Sequence, residues 1–502
     1  MSDKPPPPAT HRPGQHLLLD WIYGEWTGLS EEIIMTADLI YSDASELAAL
    51  IRNGKVSSVE VVQAHLDRIK AVNPRVNAIV TLVDGALEAA KAADEALAAD
   101  VEVGPLHGVP FTVKDSFDTA GVLTQRGSPI FEGRVPDSDA TSVARMKRAG
   151  AILLAKTNLP EFSYSTESDN LLTGRTNNPW NLDRTSGGSS GGESAAIAAG
   201  MSPLGLGSDL AISVRGPAAH TGIVALKATH GRIPMTGVWP RVPRRDWHVG
   251  PMARTVRDLA LAYSVLSGPD GADGFATVPR AFDAGLGASP DRPVRVGWLV
   301  DSGLGPIAPE VAATVRKAAE ALQGAGVQVE AVSIPAFERD NPLDLFNRQH
   351  VMEMKPAFRD ATAGHEDQMA KVSQSMIAGP DTSVEDYVLA EQGIERLRDA
   401  FTEYFQQYDA LLLPVLPIPA HAHGLTQFTI NGRTVDAAHI QTATVPFNLT
   451  GLPALSMRFG TSGDGLPIGV QLAANWHCES TILHIAALLE SLSPVRDQHP
   501  TI

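Results

Sequence analysis

The chain has 502 residues, 43% of them apolar and 19% charged, with a net charge of −17. That length supports a large buried core or two to three ordinary domains. The acidic balance argues against phosphate backbones and anionic membrane surfaces, and the lone cysteine, Cys478, excludes an intrachain disulfide and cysteine-ligated metal sites.

A single cysteine also suits a reducing, cytoplasmic setting. No apolar run is long enough for a membrane span, and the N-terminus lacks the basic-then-apolar layout of a secretory signal. Residues 1–34 read as an N-terminal extension. A proline-rich lead runs to Pro13, followed by a short amphipathic helix candidate with Leu17, Leu18, Leu19, Trp21, Ile22 and Trp26. Met35 is an alternative start, so whether 1–34 is native stays open.

Two helix starts follow, Asp43-Ala-Ser-Glu46 and Ser57-Ser-Val-Glu60, each with the spacing of a capping box. Ala86 to Ala99 is an alanine-rich helix. Val109–Val113 and Ile152–Ala155 are short β-branched runs, with a helix from Ser142 to Ala149 before the second. Ser194 to Gly200 is a small-residue helix, and Pro203 to Gly207 reads as a strand or turn. Further strands are expected at Val294–Val300, Val327–Val332, Ala410–Leu413, Ala454–Phe459 and Ile468–Leu472, with helices at Pro309–Gln323 and Val384–Tyr404. Apolar strands alternating with helices indicate an α/β layer around a buried sheet. Strand candidates continue almost to the end, so residues 35–502 read as one domain. Residues 335–405, charge-rich and without strand runs, read as a helical elaboration of it.

The chemistry-bearing stretch is Gly187-Gly188-Ser189-Ser190-Gly191-Gly192, which runs directly into a helix. Its glycines permit unusual backbone and close approach to a ligand, and the helix start offers free N–H donors. Ser213 lies 24 residues later, in Ser208-Asp209-Leu210-Ala211-Ile212-Ser213-Val214-Arg215, and Lys114 lies 75 residues before Ser189. A serine needs a base to become a nucleophile, and a lysine deprived of water can be that base. The backbone amides just before Ser213 suit a developing oxyanion.

Plainer readings compete. The glycine–serine run could be a solvated linker. Asp209 and Arg215 could be a structural ion pair beside an inert serine, and Lys114 could pair with Asp115. Both Ser189 and Ser190 also satisfy G-x-S-x-G, which would require an acid and a histidine such as Asp409 with His421, His423 or His477. That triad would leave Lys114 and Ser213 without a role. His421-Ala-His423 has the spacing of a metal pair but lacks accompanying ligands. Trp239, Trp247, Phe162 and Tyr164 are candidates either for a pocket lining or for plain core.

The chain resembles the amidase signature family. The resemblance rests on Gly108-Val-Pro-Phe-Thr-Val-Lys114-Asp115, on Gly187 to Gly192, and on Gly207 to Arg215. It extends through Lys156-Thr-Asn158-Leu-Pro-Glu161-Phe162, Gly174 to Trp180, Gly222 to Lys227, Gly250-Pro-Met-Ala-Arg254, Phe447 to Ala454 and Gly465 to Gln471. The resemblance implies an amidase-signature α/β fold, a large central mixed β-sheet covered on both faces by helices. It implies Ser213 as nucleophile, Ser189 on a cis peptide bond as proton relay, and a neutral Lys114 as base. It also implies an oxyanion hole from the amides of Leu210, Ala211, Ile212 and Ser213. Asp209 and Arg215 would shape the site, and Ser163, Tyr164 and Gly188 would lie along the substrate cleft.

Expected function is cofactor-free and metal-free hydrolysis of an amide, anilide or carbamate (a urethanase-like activity among them) through an acyl-enzyme. The expected partner is a small-molecule substrate, with no nucleic acid, no membrane and a homodimer left open. The chain departs from the family where Ala211-Ile212 replaces the usual Gly-Gly, which would strain any positive φ and narrow the site. Two alternatives remain. One is the amidase component of a tRNA-dependent amidotransferase, although Gly216 stands where such components carry glutamine. The other is a catalytically silent binding protein.

Overall fold

The computed structural model describes residues 39–242, 245–276, 293–300 and 303–502. The extension at 1–34 lies outside them. Eleven strands form one sheet: β1 (Ile79–Leu82), β2 (Pro110–Lys114), β3 (Ile152–Thr157), β4 (Leu204–Asp209), β5 (Val224–Lys227), β6 (His248–Ala253), β7 (Arg295–Trp298), β8 (Gln328–Ala331), β9 (Ala410–Pro414), β10 (Ala454–Thr461) and β11 (Pro467–Ala473). Their spatial order is β1-β3-β2-β4-β6-β5-β10-β11-β9-β7-β8. The sheet is mixed. β2 runs parallel to β3 and β4, and β7 runs parallel to β8 and β9, whereas β6, β5, β10 and β11 join their neighbours antiparallel.

Helices flank this sheet, and the central strands are buried on both faces. Every residue of β2, β3, β4, β6 and β9 is buried, so none of them shows the alternating pattern of a half-exposed strand. Phe111, Val113, Leu206, Leu226, Val249, Leu412, Leu455 and Leu472 belong to one core cluster. Each such side chain contributes roughly 1.5–3 kcal/mol on burial.

Local sequence and tertiary context part company at the first two helices. Ser57 caps Ser58–Val76 as expected: its Oγ accepts the Glu60 amide at 3.1 Å while Glu60 Oε2 accepts the Ser57 amide at 2.8 Å. Asp43 makes no such cap on Ala44–Arg52. The carboxylate of Asp258, far away in sequence, instead accepts the amides of Ala44 (2.6 Å) and Ser45 (2.9 Å). Burial, with Asp258 beside it, pushes Asp43 up to about 7.

β5 and β6 escape the sequence reading. β6 contains Gly250-Pro251, and an interior proline argues against a central strand because it cannot donate to the ladder. Pro251 nevertheless pairs in register with Leu206 of β4. Between residues 335 and 405 lie four α-helices, Pro335–Asp340, Pro342–Thr362, Lys371–Ala378 and Val384–Tyr404, with a 3-10 turn at Glu366–Gln368.

Candidate active site

β2 and β4 are adjacent and parallel, with Thr112 opposite Gly205 and Val113 opposite Leu206. Lys114 therefore ends one strand beside Ser208 and Asp209 at the end of the other. Open α/β sheets place ligands at such carboxyl ends. The helix Gly191–Ala198 starts at the same level and brings Ser189 and Ser190 on its entering turn.

Lys114 Nζ donates to Ser189 Oγ at 2.6 Å and to Ser208 Oγ at 3.0 Å. All three residues are fully buried, while Ser213 keeps 6% of its surface open. Ser213 is joined to the serine turn through the backbone, its carbonyl accepting the Ser190 amide at 3.1 Å. The Gly188–Ser189 peptide bond is cis. Gly188 is required by contact, because a Cβ there would stand 2.6 Å from both Ser165 O and the Glu167 amide nitrogen. Sequence reasoning misses Ser208. Its signal is position, the residue before Asp209 on a strand parallel to the one bearing Lys114.

Burial brings Lys114 down to about 7, with Asp209 and Glu193 pulling the other way. Burial likewise lifts Glu193 to about 8, against hydrogen bonds from Thr112 and Thr157. A neutral Glu193 exerts little hold on a lysine proton, so the amine is available as a base near neutrality. The simple pairing of Lys114 with Asp115 does not form. Consecutive strand residues face opposite ways, and Asp115 accepts the Gln125 and Arg126 amides (2.9 Å each) and faces Lys156 at 3.8 Å.

The loop Leu210–Ser213 is braced by a buried ion pair. Arg215 Nη2 meets Asp209 Oδ1 at 2.9 Å and the Ala211 carbonyl at 3.1 Å, and its Nη1 reaches Thr444 O and Gln471 Oε1, both at 2.9 Å. Asn448 completes the bundle, donating to Asp209 Oδ1 at 2.9 Å. Burial alone would raise Asp209, but Arg215 and these donors hold it at about 2. Asp209 and Arg215 are thus a structural pair, and the serine beside them sits on the turn they brace. Neither Ala211 nor Ile212 takes a positive φ, so the substitution of Gly-Gly costs no left-handed strain. The amides of Leu210, Ala211, Ile212 and Ser213 meet no acceptor among the described residues, which leaves four donors around Ser213.

Following β3, Phe162 (φ 58°) and Ser163 (φ 59°) are consecutive non-glycine residues in the left-handed region. Such strain costs of order 1 kcal/mol or more per residue and concentrates at functional sites. The Ser163 hydroxyl is buried without a partner, and Tyr164 Oη lies 3.2 Å from His350 Nε2. Burial pushes Tyr164 up to about 12. Phe162, Tyr164 and Trp239 do converge: Trp239 stacks on Phe358 (5.4 Å, 15°), whose ring is 5.3 Å from Phe162 and 6.1 Å from Tyr164. Trp247 does not act as lining. It is a core residue, 2% exposed, with its indole N–H unpartnered.

The histidine readings come apart. Asp409 accepts the Arg295 amide at 2.9 Å, while His421 and His423 flank Glu167 at 3.8 and 3.6 Å. No hydrogen bond among the described residues links a histidine to Ser189 or Ser190. Among the same residues, no helix is long and apolar enough to cross a membrane.

A family model described as Amidase matches residues 60–483. A glutamyl-tRNA(Gln) amidotransferase subunit from Salinispora arenicola (strain CNS-205) is 37% identical over 494 residues, covering 90% of this chain and 98% of that protein. Among solved structures, a 6-aminohexanoate cyclic dimer hydrolase complexed with substrate superposes with a TM-score of 0.83 at 31% identity, covering 92% of this chain and 99% of that one. The corresponding glutamyl-tRNA(Gln) amidotransferase subunit from Thermotoga maritima superposes at 0.73 with 28% identity, covering 91% and 96%. These relatives correct one expectation. Proteins so similar along nearly their whole length carry names that state a tRNA and membership of a larger assembly, so the exclusion of nucleic acid and the restriction to a small-molecule partner fall. Net charge misled because it sums the whole surface and says nothing of a local face or of a partner chain that holds the nucleic acid. With the fold, the matched length and these relatives in agreement, the chain belongs to the amidase signature family of enzymes acting on carbon–nitrogen bonds.

Proposed function

We propose that the chain hydrolyses a carboxamide through an acyl-enzyme on Ser213, and that it does so as the amidase component of a tRNA-dependent amidotransferase. The observation that carries the chemistry is the 2.6 Å contact between a fully buried lysine amine and the Ser189 hydroxyl. In this reading Ser213 Oγ attacks the carbonyl carbon as its proton passes through Ser189 Oγ to Lys114 Nζ. The amides of Leu210 to Ser213 receive the oxyanion. Lys114 returns the proton by the same route to the leaving nitrogen, the C–N bond breaks, and ammonia or an amine departs. Water then attacks the acyl-enzyme with Lys114 again as base. Ser163, Tyr164 and Gly188 line the approach. Residues 35–502 act as one amidase domain whose helices between 335 and 405 shape the cleft mouth, in a cytoplasmic setting. The role within an amidotransferase is supported by the 37% identity to the Salinispora arenicola protein over almost its full length.

A second reading, a free-standing hydrolase of a bulkier amide, anilide or carbamate, is favoured by the higher TM-score to the cyclic dimer hydrolase, 0.83 against 0.73. Ile212 beside the nucleophile also favours it. The two are separated by assaying the purified chain, with and without the other amidotransferase components, on amides, anilides, esters and carbamates by mass spectrometry. Ammonia release that depends on those components supports the amidotransferase role, and anilide or carbamate turnover by the chain alone supports the second reading. Absence of both turnover and labelling by a fluorophosphonate probe would overturn both readings.

A further inference from the structure

Trp239 belongs both to the aromatic cluster and to a cavity of about 560 Å³ whose lining includes none of Lys114, Ser189 and Ser213. The cavity wall carries two cations, Arg126 and Arg241, and two anions, Asp118 and Asp273. The anions are already engaged. Asp118 is shared between Arg126 (3.3 Å) and Arg134 (2.9 Å), and Asp273 accepts the amides of Met235 (2.7 Å) and Phe275 (3.0 Å).

Of the cations, Arg126 shares Asp118 with Arg134, and Arg241 has no counter-charge among the described residues. Arg241, exposed, makes no ion pair or hydrogen bond among the described residues. Arg126 is only 8% exposed, and its Nε is buried without an acceptor. Its guanidinium is held over Phe131 (4.8 Å) and Trp239 (5.1 Å), which fixes the plane of the fork. Burial first, and then the neighbouring Arg134, pull Arg126 down to about 10 despite Asp118. One carboxylate, Asp118, thus serves two guanidiniums, and the guanidinium of Arg241 is left over. Apart from Thr236, its remaining side chains are apolar, with Val238, Val242 and the half-exposed Phe275 beside the indole.

We propose that this cavity binds a small organic carboxylate, the anion between Arg126 and Arg241 and the apolar body against Trp239 and Val242. A guanidinium fork suits a planar two-oxygen anion, and a bare inorganic anion would leave the apolar wall unused. The site is independent of the hydrolytic reading, since nothing in it requires Ser213. An occupant would touch the same indole ring that stacks on Phe358.

The test is calorimetric titration of the full-length chain with benzoate, with benzyl alcohol as its neutral analogue, and with inorganic phosphate. Benzoate is expected to bind saturably and at least about tenfold tighter than benzyl alcohol or phosphate, and Arg241→Gln to weaken it about tenfold, the share of one charge-assisted hydrogen bond. Arg126→Gln is expected to abolish it. Should that variant not fold, the exposed Arg241→Gln variant still decides the matter. Ser213→Ala is expected to bind benzoate as the parent does. The proposal is overturned if benzoate gives no binding up to about 10 mM, if benzyl alcohol or phosphate binds as tightly, or if Arg241→Gln retains parent affinity. Loss of benzoate binding in Ser213→Ala would place the ligand in the hydrolytic site and overturn it equally.

Discussion

Ile212 and Gly216 are fitted to one another across one turn. The Gly216 amide donates to the Ile212 carbonyl at 2.7 Å, and a Cβ on Gly216 would stand 2.5 Å from Ile212 Cγ1 and 2.9 Å from its Cδ1. Ile212 stands where the family usually has glycine and Gly216 where amidotransferase components carry glutamine, and the two residues are in contact. The bulk of Ile212 fits because the following helix carries no side chain at Gly216. Gly216→Ala is expected to cost about 1–3 kcal/mol by overpacking. In Ile212→Ala the same change is expected to cost at least about 1 kcal/mol less, because the clash is gone. A denaturant double-mutant cycle measures this, and additive effects would refute the pairing.

Single replacement of Ser213, Ser189 or Lys114 by alanine is expected to reduce turnover by about 10⁴-fold or more, and pairs of these to cost little further, because the three act as one unit. Fluorophosphonate labelling is expected to vanish in Ser213→Ala while the folded-state circular dichroism persists.

The pH profile follows from Lys114. With its folded value near 7, kcat/KM is expected to rise with pH through an acid limb close to neutrality. Glu193, lifted to about 8, is uncharged where that limb falls, so Glu193→Gln is expected to leave it nearly in place. Stability has its own sign. Between about 7 and the ordinary 10.5, the unfolded chain holds a proton on Lys114 that the folded chain has released. Proton binding by the unfolded state makes stability rise with pH across that window. Urea denaturation is expected to show the parent gaining on Lys114→Met from pH 7 to 10. A constant difference would mean that the amine stays charged when folded.

Ser208→Ala removes the second hydroxyl on the lysine amine, 3.0 Å away, without touching Ser189. A loss of about ten- to a hundredfold in kcat, with KM little changed, is expected from one misplaced hydrogen bond. Replacement by threonine is expected to restore most of it.

Breaking the buried pair is a matter of folding. Asp209→Asn leaves the Arg215 guanidinium enclosed without its counter-charge, which is expected to cost about 3–5 kcal/mol, read as a lowered denaturant midpoint.

Much of the site was legible because its chemistry sits in short contiguous motifs. Lys114, Ser189 and Ser213 each announce themselves by glycine and β-branched neighbours, and a cis bond before Ser189 followed from the resemblance. Ser208, Arg126 and Phe358 were not legible, since each acts through a partner far away in the chain. Asp43 shows the converse. Its capping-box spacing is sound, yet a carboxylate more than two hundred residues away occupies the helix start. β6 was obscured by a proline that local rules exclude from a central strand.

The amino-acid order by itself determined which side chains could do chemistry and that apolar runs would build an α/β core, because these depend on residue type and short-range spacing. Only the tertiary structure decided that Lys114 loses its water, that Asp209 is spent on Arg215, and that Ile212 finds room over Gly216. Desolvation, charge pairing and packing are sums over neighbours that the chain brings together from distant stretches, and no local pattern records them.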